Sequence, residues 1–102
     1  MTTSEFDWDE ANIAHIARHD VAVHEAEEAY ESNPLYLDYS MEDGELRHKE
    51  IGETLTGRIL VVVSTMRGDL VRVVTAYSPS ASLRTMYLAF KESEHHGKES
   101  HS

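Results

Sequence analysis

The sequence has no cysteine and only two prolines among its 102 residues. Without cysteine the chain has no disulfide, no thiol nucleophile and no thiolate ligand for a metal. It also has no run of about 18 apolar residues, so the sequence predicts no membrane-spanning segment. The first residues lack the basic and then apolar pattern of a signal peptide. These absences favour a cytoplasmic protein with a single small domain.

Basic residues are few and unevenly distributed. The formal net charge is −10, which argues against broad binding to polyanions because phosphates would be repelled at long range. Residues 1–53 contain 15 acidic and 3 basic side chains, whereas residues 54–102 contain 4 acidic and 6 basic ones. The sequence is therefore compatible with a local cationic site on an acidic body.

The strongest structural pattern is a pair of β-branched and aliphatic runs, 58–66 and 70–76, around a Gly68-Asp69 turn. Such runs predict a β-hairpin. Residues 61–63 are all valine, which predicts a central strand with both faces covered. Arg72 interrupts the second strand. Because an unpaired buried charge is too costly, this guanidinium must reach a partner or a ligand.

The rest of the chain predicts three helices and two more strands. The helices are expected over 10–19, 23–32 and 81–92, and the additional strands over 35–39 and 46–53. Asp9 is predicted to cap the first helix, and Asn33-Pro34 to end the second.

Short links between consecutive strands force antiparallel pairing. The predicted fold is therefore an α+β, two-layer domain with two N-terminal helices, a four-stranded antiparallel meander sheet and a C-terminal helix. The domain is expected to span residues 3–92, followed by a disordered tail over 93–102.

Several short motifs follow one another in a recognisable order. They are Phe6, Trp8 and Asp9; Arg18-His19 and Val21; Pro34-Leu35; Arg47 with Ile51-Gly52; the block 57–63; Arg67-Gly68; the block 72–76; and Arg84 with Tyr87. Over about residues 6–90 this order and spacing resembles the BrnT family of toxins from type II toxin–antitoxin pairs.

The resemblance implies a small ribonuclease with a RelE-like fold that inhibits translation. It also implies neutralisation by a BrnA-like antitoxin of the ribbon-helix-helix type. Operator DNA is then bound only through this antitoxin. Two positions depart from the family's usual pattern, since Tyr77 stands in place of an arginine and Leu83 in place of a glutamate. These departures support an alternative, in which the chain keeps the toxin fold without its chemistry and acts as a protein-binding module.

Metal-independent RNA cleavage needs a base, an acid and cations that stabilise the charge growing on the phosphate. Arg72 and Arg84 are the predicted cations because a guanidinium matches phosphate oxygens, and the mechanism requires them to converge on one pocket. Tyr87 lies three residues after Arg84 and is expected on the same helix face, as a phosphate contact or, alternatively, as a core aromatic. His19, at a helix C-terminus, is a candidate general acid, with simple capping as the alternative.

A second predicted group binds the RNA backbone and consists of Arg47, Lys49 and Arg18. Arg47 and Lys49 share one face of a predicted strand, where they would hold phosphate or solubilise the edge. His15 lies one turn before His19, but no acidic residue completes a zinc motif, so the sequence predicts neither a metal nor a cofactor.

The second predicted helix carries four outward-facing acidic residues, Glu25, Glu27, Glu28 and Glu31. The simplest interpretation is a solvated face. The alternative is a surface that receives a basic segment of the antitoxin.

Overall fold

The computed structural model describes residues 4–99, and the side chains of residues 4–94. In chain order, the elements are α1 (Glu10–Ala17), α2 (Val23–Tyr30), β1 (Leu35–Glu42), β2 (Glu45–Glu53), β3 (Ile59–Arg67), β4 (Leu70–Tyr77) and α3 (Ala81–Glu99). The strands form one antiparallel sheet in the order β1-β2-β3-β4. The predicted α+β architecture, with its meander sheet, is confirmed.

Helix boundaries differ from the sequence-based prediction in three places. α1 and α2 end earlier than predicted, before Asp20 and Asn33, which adopt φ values of 62° and 63° that a helix cannot accommodate. α3 continues to Glu99, whereas the sequence predicted an end at 92 and a disordered tail from 93. Glu94, Lys98 and Glu99 in this extension favour helix, whereas Gly97 disfavours it. Residues 100–102 of the predicted tail lie outside the described residues.

The helices cover the two faces of the sheet unequally. α1 and α2 pack on one face, where the core consists of Ile16, Val21, Ala26, Ala29, Leu60, Val62, Val73 and Ala76. On the opposite face α3 contributes Tyr87 to a smaller core with Ile51, Ile59 and Val61. Val61 and Val62 are therefore buried in opposite cores, as the consecutive valines predicted. The predicted two-layer arrangement needs correction, because α3 adds a third, partial layer.

Asn12 fastens α1 to the edge strand β4. Its backbone N–H donates to Asp9 Oδ1 at 3.1 Å, and the backbone N–H of Asp9 donates to Asn12 Oδ1 at 2.8 Å. This reciprocal capping box confirms Asp9 as the N-cap. The side-chain amide of Asn12 donates to the carbonyl oxygens of Asp7 and Val73, at 3.0 and 3.1 Å. The start of α1 is thus held against the sheet by specific hydrogen bonds as well as by apolar packing.

Gly52 allows α2 to approach β2 closely. A Cβ atom at this position would overlap the backbone oxygen of Ala29 and would lie 2.8 Å from Ser32 Oγ. Ser32 Oγ joins the two elements, since it donates to Ala29 O at 2.7 Å and accepts from the backbone N–H of Glu53 at 3.1 Å. A side chain at residue 52 would break this contact.

We therefore predict that Gly52→Ala lowers the free energy of unfolding by about 1–3 kcal/mol, the usual cost of overpacking a tight contact. Urea unfolding followed by circular dichroism measures the change. Gly68→Asn is the control, because a Cβ there meets no atom within 4 Å and asparagine tolerates its φ of 63°. Unchanged stability of Gly52→Ala would contradict the close approach.

Candidate functional site

α3 leaves part of its face of the sheet open, and a cleft of about 290 Å³ lies there. Asp38, Lys49, Val63 and Thr75 are successive pairing partners across the four strands and form one row of its lining. The other lining residues are Tyr39, Ser40, Glu42, Arg47, His48, Val74 and Tyr77. We call this depression the sheet cleft. It contains Arg47 and Lys49, two of the three residues predicted to bind the RNA backbone.

Two β-bulges decide which side chains face this cleft. The register shifts between Tyr36 and Asp38 in β1, which brings Asp38 opposite Lys49. A second shift, between Val63 and Ser64 of β3, leaves one extra residue in β4. Thr75 pairs with β3 on one side of this extra residue, and Arg72 pairs with β3 on the other side. Without a bulge, residues 72 and 75 would point to opposite faces. The bulge thus allows Arg72 to face the open side while Val73 enters the core under α1.

Arg47 is held in a chain of ion pairs. Its guanidinium lies 3.3 Å from Glu42 Oε1 and 3.3 Å from Glu45 Oε1, and Arg67 lies 2.9 Å from Glu45 Oε2. Desolvation opposes ionisation of Glu45, but the hydrogen bonds and charges of Arg67 and Arg47 outweigh it and hold the pKa of this carboxyl below its usual value. These contacts fix the position of Arg47 at the wall of the sheet cleft.

Arg72 binds the two aspartates that precede α1. Its Nη1 lies 3.0 Å from Asp9 Oδ2 and 3.5 Å from Asp7 Oδ2, and its side chain is 15% exposed. A hydrogen bond from Nη2 to Asp9 Oδ1, at 3.3 Å, completes a two-pronged pair. The hydrogen bond with Arg72 and the backbone N–H of Asn12 lower the pKa of Asp9, and the hydrogen bond with Asp9 raises the pKa of Arg72. Arg72 therefore has the partner that its place in a strand required.

A second cleft, of about 300 Å³, adjoins the first and shares Arg47 and Val74 with it. We call it the arginine cleft. Its other lining residues are Ala11, Asn12, His15, Glu45, Arg67 and Arg72. The three guanidinium groups of this cleft are all paired with carboxylates. It is therefore a charge-balanced depression.

Arg84 and Tyr87 lie away from both clefts. Arg84 is exposed in the first turn of α3, whereas Tyr87 is fully buried, so the two do not share an environment. The hydroxyl of Tyr87 donates to Glu53 Oε1 at 3.1 Å, and burial together with this carboxylate raises the pKa of Tyr87 to about 12. The expected convergence of Arg72 and Arg84 on one pocket is not present in the structure, since Arg72 lines the arginine cleft and Arg84 lines neither cleft. Tyr87 occupies the core position that the sequence offered as its alternative.

His19 and Arg18 lie just after α1, near the end of β4. Arg18 is the exposed C-cap of the helix. The ring of His19 lies 5.6 Å from that of His15 and 6.0 Å from that of Tyr77, measured between centroids. The two histidines, one turn apart in the sequence, therefore lie side by side. Tyr77 also lines the sheet cleft, so its neighbour His19 lies at the margin of that cleft.

Tyr77 and Thr75 line the sheet cleft, but the sequence predicts neither as a site residue. Thr75 Oγ1 is buried and has no hydrogen-bond partner among the described residues. Strict alternation puts Thr75 and Tyr77 on one face of β4, but it puts Arg72 on the opposite face from them, and only the bulge brings all three to the same face. Within the described part of the chain, no cluster of three or more His, Asp or Glu side chains could hold a metal ion. No helix in that part is long and apolar enough to cross a membrane.

A comparison with protein families gives a match to the ribonuclease toxin BrnT of type II toxin–antitoxin systems over residues 8–82. The chain belongs to the BrnT family. The matched span includes α1, α2 and the whole sheet, and hence both clefts, but it ends before Arg84 and Tyr87. Membership in the BrnT family places the chain among ribonuclease toxins that have an antitoxin protein as partner. A comparison with curated proteins gives no match.

The ion pairs of this BrnT-family chain predict a dependence of stability on pH. Arginine partners hold the pKa values of Asp9 and Glu45 below the ordinary values of 3.8 and 4.5. A carboxyl with a lowered folded-state pKa stabilises the fold above the unfolded-state value, and this stability is lost as the pH falls through the folded-state value. The variant Asp9→Asn with Glu45→Gln should therefore lose less stability than the parent on acidification from about pH 6 to about pH 3.

Thermal unfolding followed by circular dichroism across this pH range measures the effect. The control variant, Asp43→Asn with Glu92→Gln, removes two exposed carboxyls that take part in none of these ion pairs. It should follow the parent's pH profile. If both variants show the same profile, the ion pairs do not contribute as the geometry indicates.

Proposed function

We propose that this chain is an endoribonuclease toxin that cuts RNA in the sheet cleft, inhibits translation and is neutralised by a BrnA-like antitoxin. The main support for this proposal is the location of Arg47 and Lys49 in a cleft on the open part of the sheet. Membership in a ribonuclease toxin family supports the reaction class. The RelE-like fold and the cytoplasmic location belong to the same proposal.

Arg47 and Lys49 are proposed to hold the scissile phosphate. Lys49 makes no salt bridge among the described residues, so its ammonium group is available for an anion. Arg47 is fixed by Glu42 and Glu45 and offers a preorganised guanidinium beside it. Preorganised cations are worth most where negative charge develops during the reaction.

The proposed reaction is attack of the ribose 2′-oxygen on the adjacent phosphorus, with departure of the 5′-oxygen of the next nucleotide. The products are a 2′,3′-cyclic phosphate and a 5′-hydroxyl. A base takes the proton of the 2′-hydroxyl, and an acid returns one to the leaving oxygen. Asp38 and Glu42 are the carboxylates that line the cleft, and His19 at its margin is the proposed proton donor. Because the cleft has its own cations, we propose that no metal ion is needed.

This proposal moves the phosphate-binding centre relative to the prediction from sequence. Arg72 lines the adjoining arginine cleft and connects β4 to the segment before α1. Arg18 lies at the C-terminal end of α1, where a longer RNA backbone would pass. Arg84 and Tyr87 have no contact with either cleft, so the proposal gives them no part in phosphate binding.

The test is cleavage of RNA by the purified, antitoxin-free protein. Lys49→Ala and Arg47→Ala should each slow cleavage by about 10² or more, the usual effect of removing one charge-stabilising group. Lys91→Ala is the matched control, because Lys91 lies on α3 over the ring of Tyr87 and its loss changes the net charge equally. It should cleave like the parent. Cleavage should continue in a chelator and yield cyclic-phosphate ends.

A second candidate function is a protein-binding module that keeps the toxin fold without RNA cleavage. The observation that favours it is the pairing of Arg47 and Arg72 with carboxylates, which lowers the positive potential available to RNA. The same assay decides between the two. Intact RNA at high protein concentration favours the module, whereas cleavage that survives Lys49→Ala shows that the site lies elsewhere.

A further inference from the structure

A groove of about 480 Å³ lies on the face of the sheet opposite the sheet cleft, between α2, the N-terminal segment and the β2–β3 loop. Its apolar members are Phe6 and Leu55, and Leu55 is the most exposed large hydrophobic side chain of the described residues, at 87%. Three carboxylates, those of Glu27, Glu28 and Glu31, form its rim. We call it the acidic groove.

Each of these carboxylates is held in place by a neutral donor. Glu27 accepts from Trp8 Nε1 at 2.8 Å, Glu28 from the backbone N–H of Leu55 at 3.0 Å, and Glu31 from the backbone N–H of Ser4 at 2.7 Å. None of the three makes a salt bridge among the described residues. The hydrogen bonds therefore orient the carboxylates without neutralising them.

The three negative charges are also unfavourable for α2 itself. They lie in the second half of the helix and at its C-cap, and the last turn contains no basic residue. The C-terminal end of a helix dipole favours cations and disfavours carboxylates. A basic ligand in the groove would relieve both this effect and the mutual repulsion of the three groups.

We propose that the acidic groove is the docking site for a basic, amphipathic segment of the antitoxin. An apolar side chain of the segment packs on Leu55 and Phe6, and its Lys or Arg residues pair with Glu27, Glu28 and Glu31. Charge complementarity around the apolar side chains of Phe6 and Leu55 supports this docking site. The proposal rests on the proposed function for the identity of the partner, since a type II toxin has an antitoxin protein.

The location of this groove has a consequence for inhibition. Because the groove and the sheet cleft lie on opposite faces of the sheet, docking in the groove does not itself fill the sheet cleft. The groove therefore provides an anchor, and another part of the antitoxin must reach the cleft to block it. Loss of the anchor weakens binding without changing RNA cleavage.

The probe is a synthetic helical peptide with lysine on one face and leucine on the other, compared with a peptide that has glutamine in place of lysine. Trp8, the single tryptophan of the chain, contacts Glu27 and reports binding through its fluorescence. The lysine peptide should bind, with affinity falling as salt rises, and the glutamine peptide should bind at least about tenfold more weakly.

The variant Glu27→Gln, Glu28→Gln, Glu31→Gln keeps an oxygen acceptor for each donor and removes only the charges. It should bind the lysine peptide at least about tenfold more weakly and be no less stable than the parent. The control, Asp43→Asn, Asp69→Asn, Glu92→Gln, changes the net charge equally at exposed positions outside the groove and should bind like the parent. Equal peptide affinity in the two triple variants would overturn the proposal, as would equal binding of the two peptides.

A second copy of the chain is the competing occupant. Sedimentation that shows a dimer of the parent and a monomer of the groove variant would establish it and overturn the proposal. RNA cleavage is measured on the same variants and should be unchanged in both. Absence of cleavage in the parent refutes the proposed function, whereas peptide affinity independent of the three glutamates refutes the docking site alone.

Discussion

The fastening of the α1 N-terminus to the edge strand β4 is the constraint on which much of this structure depends. Arg72 pairs with Asp7 and Asp9, and Asn12 joins the carbonyls of Asp7 and Val73. The contacts of Arg72 with the two aspartates and of Asn12 with Val73 connect residues more than 60 positions apart in the chain, so each of them has to offset a large loss of conformational freedom. Asp9 contributes to this fastening in two ways, because it caps α1 and also pairs with the guanidinium of Arg72. The same geometry directs the far end of α1, and therefore His19, towards Tyr77.

Unequal helical cover decides which part of the sheet is open. α1 and α2 bury their face of the sheet with small and branched residues, and the absence of a side chain at Gly52 lets α2 lie directly on β2. α3 covers only the part of the other face around Ile51, Ile59 and Val61. Continuing along β2 from Ile51, alternate residues on this face are Lys49 and Arg47, which change the open surface from apolar to cationic. The two basic side chains beside α3 follow directly from that short stretch of sequence.

The sequence predicted those features that depend on local chemistry. Three consecutive valines indicated a strand buried on both faces, Asp9 indicated a helix cap, and Asn33-Pro34 indicated the end of a helix; the structure contains all three. The features it did not predict depend on register and distant partners. A strand pattern does not reveal the single extra residue at the bulge in β4, and that residue decides that Arg72 faces the open side while Val73 is buried.

Helical spacing was equally insufficient for Arg84 and Tyr87. Residues three apart are neighbours on a helix, but the boundary between covered and open surface passes between these two, so Tyr87 is buried and Arg84 is exposed. The partner of a buried tyrosine hydroxyl, here Glu53 at the end of β2, cannot be identified from the spacing of residues on the helix. For the candidate site, the sequence identified Arg47 and Lys49 but not the residues that complete their cleft.

The arrangement of charge reconciles a net charge of −10 with the proposed RNA substrate. The uncompensated carboxylates of α2 lie on one face of the sheet, whereas on the other face Arg47 and Arg67 balance Glu42 and Glu45, and Lys49 lies opposite Asp38 in the sheet cleft. Such an asymmetric field repels a polyanion from the α2 face and leaves the cleft face as its more favourable approach. It directs a basic protein partner to the opposite side. One acidic chain can therefore present one face to the proposed RNA substrate and the opposite face to a basic partner, since the sheet lies between the two.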